Sequence, residues 1–201
     1  MDKFSYALGM SLAQNLLRSG VDSLEFEDLL DGMKAIYSGG EHKVSDIEAN
    51  NILQTYFEKK EKEMEMKRTL ESLTSKKNGE EYLKKNSGED GVQTTKTGLQ
   101  YKVIEEGTGK QPNSHSRVKC HYEGRFIDGT VFDSSFKRGE PATFGLDQVI
   151  PGWTEGLMLM KVGSKYEFTI PAKLGYGERG IPGHIPGNSV LIFTVELLSI
   201  E

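Results

Sequence analysis

The apolar positions of the first 57 residues recur at helical spacing. Phe4, Leu8, Leu12 and Leu16 stand four apart, and Ala7, Met10, Ala13 and Leu17 widen the stripe, which predicts a helix over residues 4–18. Gly20 reads as its stop. A second stripe of Phe26, Leu29, Leu30, Met33, Ile36 and Tyr37 predicts a second helix, capped by Asp22 and ended by Gly39-Gly40. The capping-box pattern Ser45-Asp46-Ile47-Glu48 opens a third, which runs without proline to about Asn86. Its first turns carry Ile47, Ile52, Leu53, Tyr56 and Phe57, whereas Glu58 to Arg68 is nearly all charge and reads as a solvated face. Asn78-Gly79 could kink or interrupt this long helix, since interior glycine costs about 1 kcal/mol relative to alanine, and the sequence leaves its continuity there open.

Beyond residue 90 the period drops to two. Residues 99–104, 117–123 and 165–170 alternate or carry strand-forming side chains, and 189–198 is the longest apolar strand. Among them Trp153 to Met160 reads as the one helix. Antiparallel strands around one short helix predict an α+β domain behind an all-α region. The predicted division is 1–88 for the helical part, with a connecting helix over about 45–86, and 89–201 for the rest. The polar, glycine-bearing stretch 86–91 is the linker.

Composition sharpens that division. All six prolines and 16 of the 23 glycines lie after residue 90, where they punctuate turns. Residues 1–90 carry 13 basic and 18 acidic side chains, against twelve of each afterwards. The net charge of −5 argues against a non-specific nucleic-acid binder. No apolar run is long enough to span a membrane and no leader pattern opens the chain. The expected compartment is therefore the cytoplasm, with the periplasm or cell surface as the alternative if an export signal precedes this sequence. Residues 1–57 make a small, strongly apolar unit. Dimerisation through the first two helices would bury that surface; folding back onto the start of the third is the other solution.

Several motifs fail on context. Gly175-Tyr176-Gly177-Glu178-Arg179-Gly180 spells a dinucleotide fingerprint, but Pro182 and Pro186 follow where a helix is required. Gly107-Thr108-Gly109-Lys110 lacks the spacing and the following Ser or Thr of a phosphate loop. Cys120, the single cysteine, and His121 point to opposite faces of a strand, which is adverse to a shared metal or a thiol–imidazole pair. Cys120 reads as a small core residue. What remains is an aromatic set: Tyr122, Phe132, Phe144, Trp153, Tyr176 and Phe193. Each is readable as ordinary core. Four neighbours favour a pocket: Asp133 beside Phe132, the Val149-Ile150-Pro151-Gly152-Trp153 entry to a helix, the glycine-rich loop around Tyr176, and the proline–glycine loop 180–188.

At these residues the sequence resembles the FKBP-type peptidyl-prolyl cis–trans isomerases, over roughly 94–201. His121-Tyr122-Glu123-Gly124, Asp128 to Ser135, Val149 to Trp153, Leu174 to Gly177 and Leu191 to Leu198 carry the resemblance. The helical half is similar to that of the dimeric bacterial subfamily that includes the macrophage infectivity potentiator, in which two N-terminal helices intertwine across a dimer.

The resemblance implies an FKBP-like sheet wrapped around its helix and non-covalent catalysis of X–Pro rotation, assisting the folding of proline-containing clients. It implies no cofactor, no metal, a homodimer formed through residues 1–57, and inhibition by macrolides of the rapamycin class. By motif, Trp153 would floor the pocket beneath the proline ring. Tyr122, Phe132, Phe144 and Phe193 would wall it, with Val149 and Ile150 alongside. The Ile150 N–H and the Tyr176 hydroxyl would bind substrate carbonyls, Asp133 would orient the twisting amide, and Arg138 would pair with Tyr122 or Asp133. Ile185 would lie in the overhanging loop. The sequence departs from the monomeric members at Ala142, Ile181 and His184, where they carry phenylalanine, histidine and isoleucine.

Overall fold

Three helices occupy the first 86 residues: α1 (Lys3–Arg18), α2 (Phe26–Ser38) and α3 (Asp46–Asn86). The computed structural model describes all 201 residues, which form two units, Met1–Glu65 and Met66–Glu201. In the first unit Asp2 caps α1, its carboxylate accepting the Ser5 N–H at 2.7 Å. The expected Asp22 cap of α2 is not formed. The helix begins at Phe26 after an extended Glu25 that makes no side-chain cap, and Asp22 instead accepts from the Lys60 ammonium at 2.8 Å. An aspartate four residues before the helix cannot reach its first free N–H groups, whereas a lysine on α3 can reach the aspartate. Gly39 ends α2 in the left-handed region with φ 64°, and the Ser45 hydroxyl accepts the Glu48 N–H at 3.2 Å at the start of α3.

Helix α3 runs unbroken through Asn78 and Gly79, the point at which the sequence left its continuity open. Its last turns belong to the second unit and lie on the sheet there. Gly79 is buried, and a Cβ at that position would stand 2.7 Å from Val190 Cγ2. The glycine therefore marks a close helix–sheet approach. Further along, the Gln100 amide donates to the Leu83 carbonyl at 2.9 Å, and Asn86 donates to the Gln100 side chain at 2.8 Å.

The second unit holds β1 (Val92–Thr94), β2 (Gln100–Glu105), β3 (Arg117–Phe126), β4 (Val131–Ser134), α4 (Ser135–Arg138), β5 (Ala142–Gly145), α5 (Pro151–Leu157), β6 (Lys165–Ile170) and β7 (Leu191–Ile200). The strands make one antiparallel sheet in the order β1-β2-β6-β7-β3-β4, with β5 also paired to β3. The sequence expectation missed the short β1, β4 and β5, and α4 with them. Pieces of three or four residues carry too little periodicity to register. The main helix also stops at Leu157 instead of Met160, because Met158 already serves as its cap.

Along β6, Tyr166, Phe168 and Ile170 point into the core, as period-two alternation requires. Thr169 on the opposite face is buried as well, with Asn86 of α3 bonded to it at 3.3 Å. The sheet is thus covered on both faces, by α5 on one and by the end of α3 on the other. Helix α5 sits tightly: a Cβ on Gly156 would meet the Phe168 ring at 2.7 Å. Its Leu157 is fully buried, a contribution of about 1.5–3 kcal/mol. Cys120 is also fully enclosed, and burial pushes its thiol from 9.0 up to about 12, which suits the expected core role.

Replacing Gly79 with alanine tests the α3 contact. Helix propensity alone would gain about 1 kcal/mol, but overpacking a tight site costs about 1–3 kcal/mol. We expect Gly79→Ala to lower the melting temperature by a few degrees. A raised one would show that α3 lifts away from Val190 freely.

Candidate active site

Strand β3 is the spine of the site. Its inward residues Val118, Cys120, Tyr122 and Gly124 are all buried. Tyr122 projects its ring toward the start of α5, where Pro151 at the first turn brings Trp153 into the core. The two rings meet edge to face with centroids 5.2 Å apart. Phe144 from β5 and Phe193 from β7 each stand 5.3 Å from Trp153, also edge on. Phe132 closes the wall against Phe193 at 5.6 Å. Five of the six expected aromatics therefore form one basin with Trp153 at its base. Edge-to-face pairs of this kind are worth about 0.5–1.5 kcal/mol each beyond their area.

Phe132 and Asp133 are sequence neighbours, and on a regular strand they would face opposite ways. The β3–β4 register shows why they do not. Gly124 pairs with Asp133 and Arg125 with Val131, which leaves Phe132 unpaired in a bulge. The extra residue turns the Phe132 ring and the Asp133 carboxylate toward the same basin. Gly124 permits this, because a Cβ there would lie 2.6 Å from Phe193 and 2.7 Å from Phe132. Phe126, absent from the expected set, backs the wall with its ring 4.9 Å from Phe132.

A polar rim sits over the rings. The Tyr122 hydroxyl donates to Asp133 Oδ2 at 2.5 Å and accepts from Arg138 Nη2 at 2.9 Å. Arg138 Nη1 also donates to Asp133 Oδ1, and the guanidinium lies over the Tyr122 ring at 5.6 Å. Arg138 thus pairs with both expected partners. Burial pushes the Asp133 carboxyl up, but the Tyr122 hydroxyl and the Arg138 guanidinium outweigh it and hold it below its ordinary value. Asp133 is accordingly a carboxylate at neutral pH.

The rim is anchored by Ser135, which sequence reasoning missed. Its fully buried hydroxyl accepts the Tyr122 N–H at 2.7 Å and lies 3.1 Å from His121 Nδ1. A lone serine in a Ser-Ser pair gives no signal of that role.

The remaining expected residues sit around this centre. Ile150 immediately precedes α5 and its carbonyl accepts the Trp153 N–H at 2.9 Å; Val149 and Ile150 are half-buried against the core. Ile185 is buried within the core cluster. Tyr176 is the most open, 38% exposed, and makes no ring pair with the others. Burial and then the Asp133 charge raise its hydroxyl pKa, so the hydroxyl stays neutral. Ala142 lies opposite Cys120 in the β3–β5 pairing, and His184 is exposed in the loop.

Comparison with known proteins agrees with this architecture. The family model described as FKBP-type peptidyl-prolyl cis-trans isomerase matches residues 108–198. The model for the domain amino-terminal to such isomerases matches residues 1–103. The chain is 45% identical to the FKBP-type isomerase FkpA of Aeromonas hydrophila, over all of this chain and 76% of that protein. It is 39% identical to the outer membrane protein MIP of Legionella longbeachae, over all of this chain and 85% of the relative. The crystal structure of FkpA from Escherichia coli superposes with a TM-score of 0.73 at 39% identity, covering 99% of this chain and 95% of that one. With both family models matched in their own halves, and relatives aligned across the whole chain, this protein belongs to the FKBP-type peptidyl-prolyl cis–trans isomerases.

Proposed function

We propose that the Trp153 basin takes the proline ring of a client chain and that the Tyr122–Asp133–Arg138 rim steers the twisting amide above it. The reaction needs only rotation about one bond. Resonance holds the X–Pro bond planar, and uncatalysed turnover takes tens to hundreds of seconds. Partial charge on the amide oxygen is largest in the planar form, where water stabilises it. An apolar basin withdraws that water and favours the twisted, less polar amide. Trp153 serves as floor, with Tyr122, Phe132, Phe144, Val149 and Phe193 as walls. The Ile150 N–H and the Tyr176 hydroxyl bind carbonyls of the client, and Ile185 covers it. The observation that carries this reading is that the Tyr122, Phe144 and Phe193 rings all meet Trp153 edge on while the Tyr122 hydroxyl is bonded to the Asp133 carboxylate.

Isomerisation of a short X–Pro peptide tests the assignment. Asp133→Ala and Trp153→Ala should each lower kcat/KM about 5- to 150-fold, as expected for losing about 1–3 kcal/mol of interaction. Full activity in both variants would move the site elsewhere. The same basin accommodates an apolar macrocycle of the rapamycin class, for which quenching of the single tryptophan gives a direct titration.

We further propose a functional division at residues 88 and 89, with the helical part forming a homodimer through residues 1–57. No residue of α1 or α2 is buried within the single chain, and Phe4, Phe26, Ile36 and Ile47 are each at least 68% exposed. Apolar surface on that scale is covered in a working protein. Light scattering should give about twice 22.4 kDa; the monomer mass would refute the pairing.

Two sites joined in one dimer hold a long client better than either alone. Deleting residues 1–65, which leaves the second unit whole, should spare peptide isomerisation and slow refolding of a proline-limited protein client. Equal loss in both assays would remove the link between dimer and client. For the compartment, the cytoplasm is the reading of this sequence. A relative named as an outer membrane protein favours the periplasmic or cell-surface alternative. No helix is long and apolar enough to cross a membrane, and cell fractionation separates the two.

A further inference from the structure

The loop that carries Tyr176 and Ile185 is closed at its root. The Asn188 N–H donates to the Gly177 carbonyl at 2.8 Å, and inside the loop Ile181 and Ile185 exchange two backbone bonds of 2.8 Å. The Gly180 N–H donates to the Tyr176 carbonyl at 3.2 Å. These bonds tie residues 176–188 to one another, so what holds the root bears on where Tyr176 and Ile185 stand.

The root is held from outside the loop. Asn188 is the only residue other than glycine with a positive φ in the chain, at 59°. Asparagine tolerates that conformation better than most residues, but an unstrained root would use glycine. The side chain gives a reason for its presence: Asn188 Nδ2 donates to the Ser72 hydroxyl of α3 at 2.9 Å. The adjacent Gly187 is squeezed between Ser72 and the Glu178 carbonyl, with a Cβ there 2.8 Å from Ser72 Oγ. Two turns along the helix, Gly79 receives Val190. Helix α3 thus grips both the loop root and the first residues leading into β7.

We propose that Ser72 and Asn188 form a latch by which α3 positions the Tyr176–Ile185 loop, making both residues positioning residues for the isomerase reaction. The proposal rests on the placement of Tyr176 and Ile185 in the substrate site. The latch touches no substrate; it acts by pre-organising groups that do. Its loss raises KM more than it lowers kcat, because the aromatic floor and the Asp133 rim stand on β3, β4 and α5 and do not depend on it.

The test uses the full-length chain. Ser72→Ala removes the acceptor. Asn188→Gly removes the donor while keeping a backbone suited to positive φ, and Asn188→Asp restores a bond in which the serine hydroxyl donates to the carboxylate. Expected are an about three- to tenfold fall in peptide kcat/KM for Ser72→Ala and Asn188→Gly, the size of one hydrogen bond, carried mainly by KM. The double variant should be no worse than either single one, and Asn188→Asp should recover most of the loss. Additive losses, or wild-type activity in both single variants, would overturn the latch. Amide exchange reads it without catalysis: Ser72→Ala should speed exchange at Asn188, Ile181 and Ile185 and leave Phe193 in the β6–β7 ladder unchanged. Inactivity of the wild-type chain would overturn the assignment of the site. Unchanged exchange in Ser72→Ala would overturn the latch, whatever the activity.

Discussion

The contact on which the second unit depends is that of α5 with the core face of the sheet. A seven-residue helix has almost no stability of its own, since helix nucleation is unfavourable and propagation this short does not repay it. It exists because Gly152 and Gly156 let its backbone reach Ile170 and Phe168 closely, while Trp153 and Leu157 fill the space between. That one packing event fixes Trp153 as the floor of the basin. Tyr122, Phe144 and Phe193 pack directly against that ring, so the folding of the domain and the shape of the candidate site draw on the same contacts.

The chemistry of the basin follows from what these contacts exclude. Five aromatic rings from four strands and one helix leave a surface that offers water little. The polar groups that remain are paired to one another, with Asp133 held as an anion by Tyr122 and Arg138. A charge partnered in this way stays at the edge of an apolar site without collapsing into it. The arrangement suits a reaction in which a dipole weakens and no proton moves. It has no need of a group poised to titrate near neutrality.

Much of this was legible in the linear sequence. The stripes of α1 and α2, the long proline-free run of α3 and the alternation in β3 and β6 carry local signals of period, while the segments around Tyr122, Asp133, Trp153 and Tyr176 were legible only through their resemblance to a family. The short strands β1, β4 and β5 and the four-residue α4 did not register, because their conformation is imposed by pairing with longer neighbours. The Asp22 cap failed because α2 begins only at Phe26, beyond the reach of that carboxylate, which instead accepts from a lysine 38 positions away.

The sequence by itself determined the class of fold and the position of its main helices, because those follow from short-range periodicity, while the candidate site residues were reached through the motif segments that resemble the family. Only the tertiary structure decided how Phe132 and Asp133 face the same way, since a bulge is a fact about two strands in register and not about either one. It alone explained Gly79, read along the chain as a weakness in a helix and seen in space as the gap that admits Val190. It likewise gave Ser135 and Ser72 their partners. A side chain's hydrogen bond to a residue 13 or 116 positions distant depends on the path of the backbone between them, which no local pattern encodes.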